Sequence, residues 1–193
     1  MRIIAATKNK GKIREIADIL GELGIEVVSQ ADAGIDVEVY ETGTTFLENA
    51  RIKAQAVSLL CDEAVLADDS GLCVNSLGGA PGIFSARYSG ENATDKENTS
   101  KLLNELSGIQ DRDAYFETAI VLIFPDGREL TANGRVTGRI TFEPHGNGGF
   151  GYDPVFYCTE LGKTFGEATD EEKNNVSHRA RALKKLFELL KQQ

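Results

Sequence analysis

The stretch Ala64-Val65-Leu66-Ala67-Asp68-Asp69-Ser70-Gly71-Leu72 joins a short apolar run to two adjacent carboxylates and a glycine. The apolar run predicts a buried strand over residues 64–67, and Ser70 and Gly71 predict a turn after it. In open α/β sheets, ligands bind outside the carboxyl ends of strands, where carboxylates can hold a cation or take a proton from water. The stretch therefore indicates an α/β enzyme, although an isolated Asp-Asp-Ser-Gly string is more often an ordinary turn.

A basic loop follows the first predicted strand, residues 2–7. Apolar side chains then recur at helical spacing from Ile13 to Leu20, so the loop Lys8-Asn9-Lys10-Gly11 lies at a helix N-terminus. Unpaired backbone N–H groups and the helix dipole favour an anion there, and the lysines add formal charge, so the loop predicts a phosphate site. Its spacing is neither that of a P-loop nor that of a Rossmann glycine fingerprint. A solvated basic turn explains the same lysines without a ligand.

Length and charge narrow the class of protein. The 193 residues predict a single domain over 1–193, and a net charge of −9 argues against stable binding of nucleic acid. The 3 cysteines have no metal-ligand spacing and predict reduced thiols in a cytoplasmic protein. The longest apolar run, residues 119–124, is too short to cross a bilayer, and no signal peptide is visible.

Helix and strand signals alternate in the first half of the chain and change to a hairpin in the second. Capping-box spacing predicts helices that begin at Thr45 and Thr94. Strand-like segments at 115–124 and 129–140 are joined by a Pro-Asp-Gly-Arg turn, so the sheet is predicted to be mixed. A further strand is predicted near residues 26–29, and a final helix from about Ser177.

Three other places could carry chemistry, and each has a structural alternative. Glu41 precedes a helix and could hold a metal, or it could interact with the helix dipole alone. Arg87 could clamp an anion or form a structural ion pair. The glycine-rich run 146–154 could bring backbone close to a ligand while Phe150 or Tyr152 stacks on a ring, or its aromatic side chains could lie in the core.

Several separated blocks closely resemble the inosine triphosphate pyrophosphatase family, the Ham1-like non-canonical purine NTP diphosphatases. They cover nearly the whole chain and occur in the family's order. The blocks are Thr7-Lys8-Asn9-Lys10-Gly11-Lys12, residues 41–50, Asp68-Asp69-Ser70-Gly71-Leu72, residues 81–88, residues 148–154, and Ser177-His178-Arg179.

The resemblance implies an elongated, two-lobed α/β fold with a central mixed sheet flanked by helices and an active site in the cleft between the lobes, usually in a homodimer. It also implies that Glu41 and Asp69 hold Mg2+ and that Asp69 is the base that activates water. The positions that would bind substrate are Thr7, Lys8, Asn9, Lys10, Gly11, Lys12, Ser70, Phe150, Gly151, Tyr152, Asp153, Lys173, His178 and Arg179.

The reaction so implied is the Mg2+-dependent hydrolysis of ITP, dITP or XTP to the monophosphate and pyrophosphate, which keeps these nucleotides out of DNA and RNA. Donors from Lys173, His178 or Arg179 could recognise the 6-oxo edge of the base, because adenine would leave them unpaired. Alternatively, Arg179 pairs with a neighbouring carboxylate. Two other functions stay open at this point: a nucleotide sensor without turnover, and an enzyme that acts on modified pyrimidine or other nucleotides.

Overall fold

A computed structural model describes residues 1–192. Within them the chain forms five α-helices and seven strands. The helices are α1 (Lys10–Glu22), α2 (Phe46–Ser58), α3 (Asp95–Glu105), α4 (Asp170–Val176) and α5 (His178–Lys191), and the strands are β1 (Arg2–Ala5), β2 (Glu26–Ser29), β3 (Ala64–Val74), β4 (Asp113–Ile123), β5 (Glu129–Ile140), β6 (Phe156–Cys158) and β7 (Lys163–Thr164).

The strands form one seven-stranded mixed sheet in the order β2-β1-β3-β4-β5-β6-β7. Strand β1 pairs in parallel with β2 and β3, whereas β6 pairs antiparallel with β5 and β7. The predicted α/β class and mixed sheet are confirmed. No helix in the described part of the chain is long and apolar enough to cross a membrane.

The chain divides into two compact units. The first unit contains Met1–Asp69, Thr118–Gly134 and the chain from His178 onward, and the second contains Ser70–Glu117 and Arg135–Ser177. Three strands, β3, β4 and β5, have residues in both units.

The first unit has two apolar cores, because side chains alternate between the faces of its strands. Ile3 and Leu66 pack in one core with Ile16 of α1 and Leu183 of α5. Their neighbours along β1 and β3 pack in the other core with Ala50 and Ala54 of α2. Helices α1 and α5 therefore cover one face of the strands and α2 covers the other. A side chain of β3 in this unit contacts α1 and α5 or α2, according to the face on which it lies.

The second unit has one core, which is rich in aromatic side chains. Phe116, Phe156 and Phe165 form an aromatic cluster, with ring centroids 4.7 Å apart for Phe116 and Phe156. Leu102 of α3 and Leu106, which directly follows the helix, pack into the same core.

The predicted helix starts are present. Thr94 caps α3 in a complete capping box with Glu97. Thr45 caps α2 by accepting a hydrogen bond from the Glu48 backbone, but the Glu48 carboxylate binds Thr44 rather than completing a box with Thr45.

The turn predicted at Ser70-Gly71 is wrong, because β3 continues through both residues to Val74. A Cβ added at Gly71 would collide with the Gly82 carbonyl oxygen and with Ser85 Oγ. Gly71 therefore allows the segment of Gly82 and Ser85 to pack closely against β3, and it does not reverse the strand. Helix α4 and the short strands β6 and β7 were not predicted.

Candidate active site

The adjacent aspartates Asp68 and Asp69 face opposite sides of the sheet in the first unit. Side chains alternate along β3, so Asp68 shares the face of Leu66, which packs against α1 and α5. Asp69 shares the face of Ala67, which packs against α2. The two carboxylates therefore have separate sets of partners and need separate chemical roles.

Asp68 is the centre of a buried network of charges. Its Oδ2 accepts hydrogen bonds from Nε of Arg179 at 3.1 Å and from Nη2 at 2.8 Å, and Nζ of Lys12 lies 3.3 Å away. Nη1 of Arg179 binds the Glu15 carboxylate. Asp68 has no exposed surface and the Arg179 side chain only 1%. Two carboxylates and two cations thus balance one another away from water.

The pKa values of this network follow from burial and pairing. Burial alone would raise the pKa of Asp68, but Arg179 and Lys12 hold it well below its usual range. Burial opposes the charge of Arg179, yet the two carboxylates raise its pKa. Lys12 has a lowered pKa, first because it is buried and then because Lys53 and Arg179 repel its charge, while Asp68 opposes the shift. Arg179 and Lys12 therefore favour the charged form of Asp68, which in turn holds both side chains by ion pairs.

Asp69 and Glu41 converge on a single cation. Nζ of Lys53 donates to Glu41 Oε1 at 2.7 Å and to Asp69 Oδ1 at 3.1 Å. The other oxygen of Asp69 accepts a hydrogen bond from the side-chain amide of Asn49 at 3.2 Å. Asn49 and Lys53 are four residues apart on α2, so they lie on the same helix face.

The surroundings of Asp69 change the pKa of its carboxylate. Burial raises its pKa above the ordinary value, the lysines Lys53 and Lys12 oppose that shift, and repulsion from Glu41 adds to it. Burial opposes the charge of Lys53, but Asp69 and Glu41 outweigh it and raise the lysine's pKa. A carboxylate with a raised pKa is a better proton acceptor than an ordinary aspartate.

The donor set of Glu41 and Asp69 fits a magnesium ion that is shared with a phosphate chain. The lysine ammonium between them shows that both carboxylates can reach one point of positive charge. Mg2+ commonly takes one or two protein carboxylates and completes its shell with water and substrate phosphates. Among residues 1–192, no three His, Cys, Asp or Glu side chains gather to bind a metal, so a metal held here needs such outside ligands.

The basic loop lies where the sequence predicts it, at the start of α1. Asn9 caps the helix, and its side chain accepts a hydrogen bond from the Lys12 backbone at 3.1 Å. The backbone N–H groups of a first helical turn, here those of Lys10 and Gly11, have no acceptor within the helix itself. The first turn contains no acidic residue. These are the properties of a helix start that can receive a phosphate oxygen.

The glycine-rich loop lies in the second unit and is organised around a buried ion pair. The Lys173 ammonium donates to Asp153 Oδ2, and both side chains are nearly inaccessible to solvent. The same carboxylate oxygen accepts a hydrogen bond from the Phe150 backbone at 2.8 Å. The ammonium lies 4.6 Å from the centroid of the half-buried Phe150 ring. Asp153 and Lys173 thus hold the backbone and one ring face of Phe150.

The other residues of this loop also have defined places. Gly151 has a left-handed backbone with φ of +61°. Tyr152 is buried in the second core and donates its hydroxyl proton to the Ser85 carbonyl oxygen at 2.9 Å. Tyr152 therefore lies in the core, as the structural alternative predicts, while Phe150 keeps part of its surface exposed and its stacking on a ligand ring stays a prediction. Ser70 is half-buried within β3, directly after Asp69.

The remaining candidates occupy helices. His178, 5% exposed, and Arg179 lie in the first turn of α5, in the first unit. Arg87 lies over the Phe84 ring at 5.2 Å and pairs with Glu91, an arrangement that fits the structural alternative for this residue.

Sequence reasoning missed Lys53, Asn49 and Glu15. Lys53 and Asn49 had one weak signal, since polar residues four apart flank the apolar positions Ala50 and Ala54 on α2. Glu15 had a similar signal, because it adjoins Ile16 on the apolar side of α1 and is only 6% exposed. A charge beside a core position is buried only if a partner meets it, and the partner of Glu15 lies 164 residues away in the sequence.

The chain is similar to known proteins over nearly its whole length. The sequence model of the Ham1 family matches residues 3–189. A dITP/XTP pyrophosphatase of Bacillus licheniformis is 50% identical over 192 residues, and one of Escherichia coli is 47% identical over 194 residues, with 98% of both chains covered in each case. A HAM1 protein from Coxiella burnetii superposes with a TM-score of 0.88 at 39% identity, covering 100% of both chains. The Staphylococcus aureus Ham1 protein gives 0.87 at 41% identity, covering 99% of this chain and 98% of that one.

The chain belongs to the Ham1 family. The resemblance carried by the six sequence blocks is thereby confirmed, and the relatives with solved structures share the whole fold rather than a part of it.

Proposed function

We propose that this chain hydrolyses non-canonical purine nucleoside triphosphates, such as dITP, XTP and ITP, to the monophosphate and pyrophosphate. The observation that carries the proposal is the convergence of Glu41 and Asp69 on the Lys53 ammonium, in the unit that also contains the basic start of α1. Support comes from relatives of nearly equal length whose names give this activity. The proposal treats residues 1–193 as one functional domain.

In this mechanism the first unit binds the triphosphate. The N–H groups at the start of α1 donate to phosphate oxygens, and the loop residues Thr7, Lys8, Asn9, Lys10, Gly11 and Lys12 surround them. The Lys12 ammonium is held by Asp68, which is itself fixed by Arg179. The cations therefore already have their positions when the substrate arrives, and preorganised charge is what phosphoryl transfer needs most.

Glu41 and Asp69 would hold Mg2+ when the nucleotide binds. A metal ion held by these two carboxylates would neutralise the charge that develops on the phosphate oxygens as the α–β anhydride bond breaks. Asp69 takes the proton from the attacking water, a role that fits its raised pKa. Asn49 orients the Asp69 carboxylate from the other side. Lys53, which now binds both carboxylates, would then become free to donate to the phosphate chain.

Most of the residues proposed to bind the base belong to the second unit. Phe150 offers a half-buried ring for stacking, while Gly151, Tyr152 and Asp153 shape the loop that carries it, and Ser70 adds a hydroxyl after Asp69. His178 is proposed to contribute to recognition of the 6-oxo edge. Lys173 and Arg179 already bind carboxylates, so in this proposal they act on the substrate by positioning Asp153 and Asp68.

The test is a substrate panel of dITP, ITP, XTP, GTP, ATP and dUTP, with Mg2+ and with excess chelator. We expect monophosphate and pyrophosphate from dITP, ITP and XTP, and no turnover with chelator. Diphosphate and orthophosphate as primary products would overturn the diphosphatase assignment. Binding of dITP without turnover would favour a sensor, and preference for a pyrimidine would favour the other enzyme class.

We further propose, from the family resemblance, that the chain acts as a homodimer in the cytoplasm. Light scattering coupled to gel filtration tests the first part, with a mass near twice the 20.9 kDa of the chain expected. Fractionation of cells tests the second.

A further inference from the structure

The backbone on both sides of Phe150 is held by carboxylates that come from different places. On one side, the Phe150 N–H donates to Asp153, which lies within the loop and is buried against Lys173. On the other side, the Gly151 N–H donates to Oδ2 of Asp95 at 2.7 Å. Asp95 is the first residue of α3, is exposed to solvent, and lies 56 residues from Gly151 in the sequence.

The link between Asp95 and Gly151 matters because it ties the backbone directly after Phe150 to a helix outside the loop. Glycines lie on either side of Phe150, and Gly149 and Gly151 both have left-handed φ values, of +72° and +61°. Glycine backbone loses more conformational freedom on ordering than any other, so this stretch needs anchors to hold one conformation. The Gly151 amide is the anchor next to the ring on its C-terminal side, and a carboxylate acceptor makes it a strong one.

Helix α3 is a firm support for this anchor. Thr94 and Glu97 form a complete capping box on either side of Asp95. The side chain of Asn98 binds the Ala86 carbonyl oxygen at 3.1 Å and accepts from the Ser89 backbone at 2.7 Å. Asp95 thus reaches the loop from a helix end whose own position is fixed by other contacts.

We propose that Asp95 is a positioning residue for the nucleotide base: it holds the glycine loop in the conformation in which Phe150 presents its ring. The inference rests on the proposed role of Phe150 as the stacking platform. A carboxylate at position 95 contacts no substrate and acts only through the Gly151 amide. Its loss therefore weakens substrate binding and leaves the chemical step intact.

The experiment compares Asp95→Ala, Asp95→Asn and Glu97→Ala. Asp95→Ala removes the acceptor, Asp95→Asn keeps an amide oxygen in its place, and Glu97→Ala disturbs the same helix start without touching the loop. With dITP we expect Asp95→Ala to raise KM about fivefold with kcat unchanged, since that is the usual effect of losing one net hydrogen bond. Asp95→Asn restores most of the loss, and Glu97→Ala keeps the KM of the parent chain.

A second readout does not depend on activity. Amide hydrogen exchange at Gly151 should be faster in Asp95→Ala than in Glu97→Ala. Equal exchange in these two variants, or faster exchange with an unchanged KM, overturns the proposal. If the parent chain does not hydrolyse dITP, the proposed function fails by itself. In that case calorimetric binding of dITP replaces KM, and equal affinity of Asp95→Ala and Glu97→Ala overturns the role of Asp95.

Discussion

Asp68 and Asp69 are consecutive in β3, yet one binds Arg179 on the α1 and α5 face and the other binds Lys53 on the α2 face. Period-two alternation alone produces this division. Two consecutive carboxylates within β3 therefore have one structural role and one proposed catalytic role, and mutation should separate the two roles.

The first prediction separates these roles by amide substitution. Asp69→Asn should lose nearly all activity and keep its melting temperature, because the amide fills the same space but cannot accept a proton. Asp68→Asn should lower the free energy of unfolding by about 3 kcal/mol, since removing one partner of a buried ion pair leaves the others uncompensated. Chemical denaturation and dITP turnover measure both effects. The exposed Asp62 supplies the control Asp62→Asn, and a stable Asp68→Asn would contradict the assignment.

The second prediction concerns the cation between Glu41 and Asp69. Lys53→Met should tighten Mg2+ binding in the absence of nucleotide, because two carboxylates then face each other without a counter-charge. Turnover should fall, since a phosphate donor is lost. Arg51→Met is the matched control, because Arg51 lies on the same helix and pairs with Glu129 instead. Calorimetric titration measures the affinity for Mg2+ in both variants. An unchanged affinity in Lys53→Met would contradict a metal site formed by Glu41 and Asp69.

The third prediction tests whether Arg179 selects the base. Three of its nitrogens bind Asp68 and Glu15, so Arg179→Ala should reduce stability by about 3 to 5 kcal/mol. We expect the ratio of kcat/KM for ITP to that for ATP to remain as in the parent chain, measured at a temperature where the variant is folded. A large fall in that ratio would instead assign the guanidinium to the 6-oxo edge.

The fourth prediction concerns Phe150. Stacking on an aromatic ring contributes about 1 to 3 kcal/mol per base and hardly distinguishes bases. Phe150→Ala should therefore raise KM for ITP, XTP and ATP by similar factors. Steady-state kinetics on the three nucleotides suffices, and a selective loss for one of them would show that the ring does more than stack.

The fifth prediction contrasts two glycines. Gly71→Ala should destabilise the protein by about 1 to 3 kcal/mol, because its methyl group would strike the Gly82 carbonyl oxygen and Ser85. Gly21→Ala should stabilise it by roughly 0.5 kcal/mol, since Gly21 lies in α1 and a methyl group added there would have nothing within 4 Å. Thermal unfolding of both variants gives the comparison, and similar melting temperatures would disprove the close approach at Gly71.

An element could be predicted from the sequence where the local residue pattern favours the same conformation that the element adopts in the folded protein. The apolar spacing of α1, the Thr94 cap and the Pro-Gly turn before β5 each specify an element that the structure contains. Ser70-Gly71 misled because turn chemistry and close approach both require glycine, and only the distant Gly82 and Ser85 distinguish them. In the candidate site, too, residues with a local sequence signal were predicted and residues that depend on distant partners were missed.

The basic loop lies at the start of α1, as predicted, because the signal for that position is local, and its binding of phosphate stays a prediction. Lys53 was missed because its importance depends on Glu41 and Asp69, which reach it from separate segments of the chain. Pairing across long sequence separations leaves no period and no motif in a single sequence.

The pairing of Asp68 with Arg179 also bears on biosynthesis, because the two residues are 111 positions apart and the arginine lies in the last helix. The N-terminal part of a chain emerges from the ribosome first. Asp68 and Glu15 therefore leave the exit tunnel before Arg179, which pairs with both, has been synthesised. Burying two anions without that counter-ion is costly, and a nascent chain therefore keeps this region open to solvent. The first unit closes only after α5 has been synthesised, so any product that ends before α5 remains a target for chaperones and proteases.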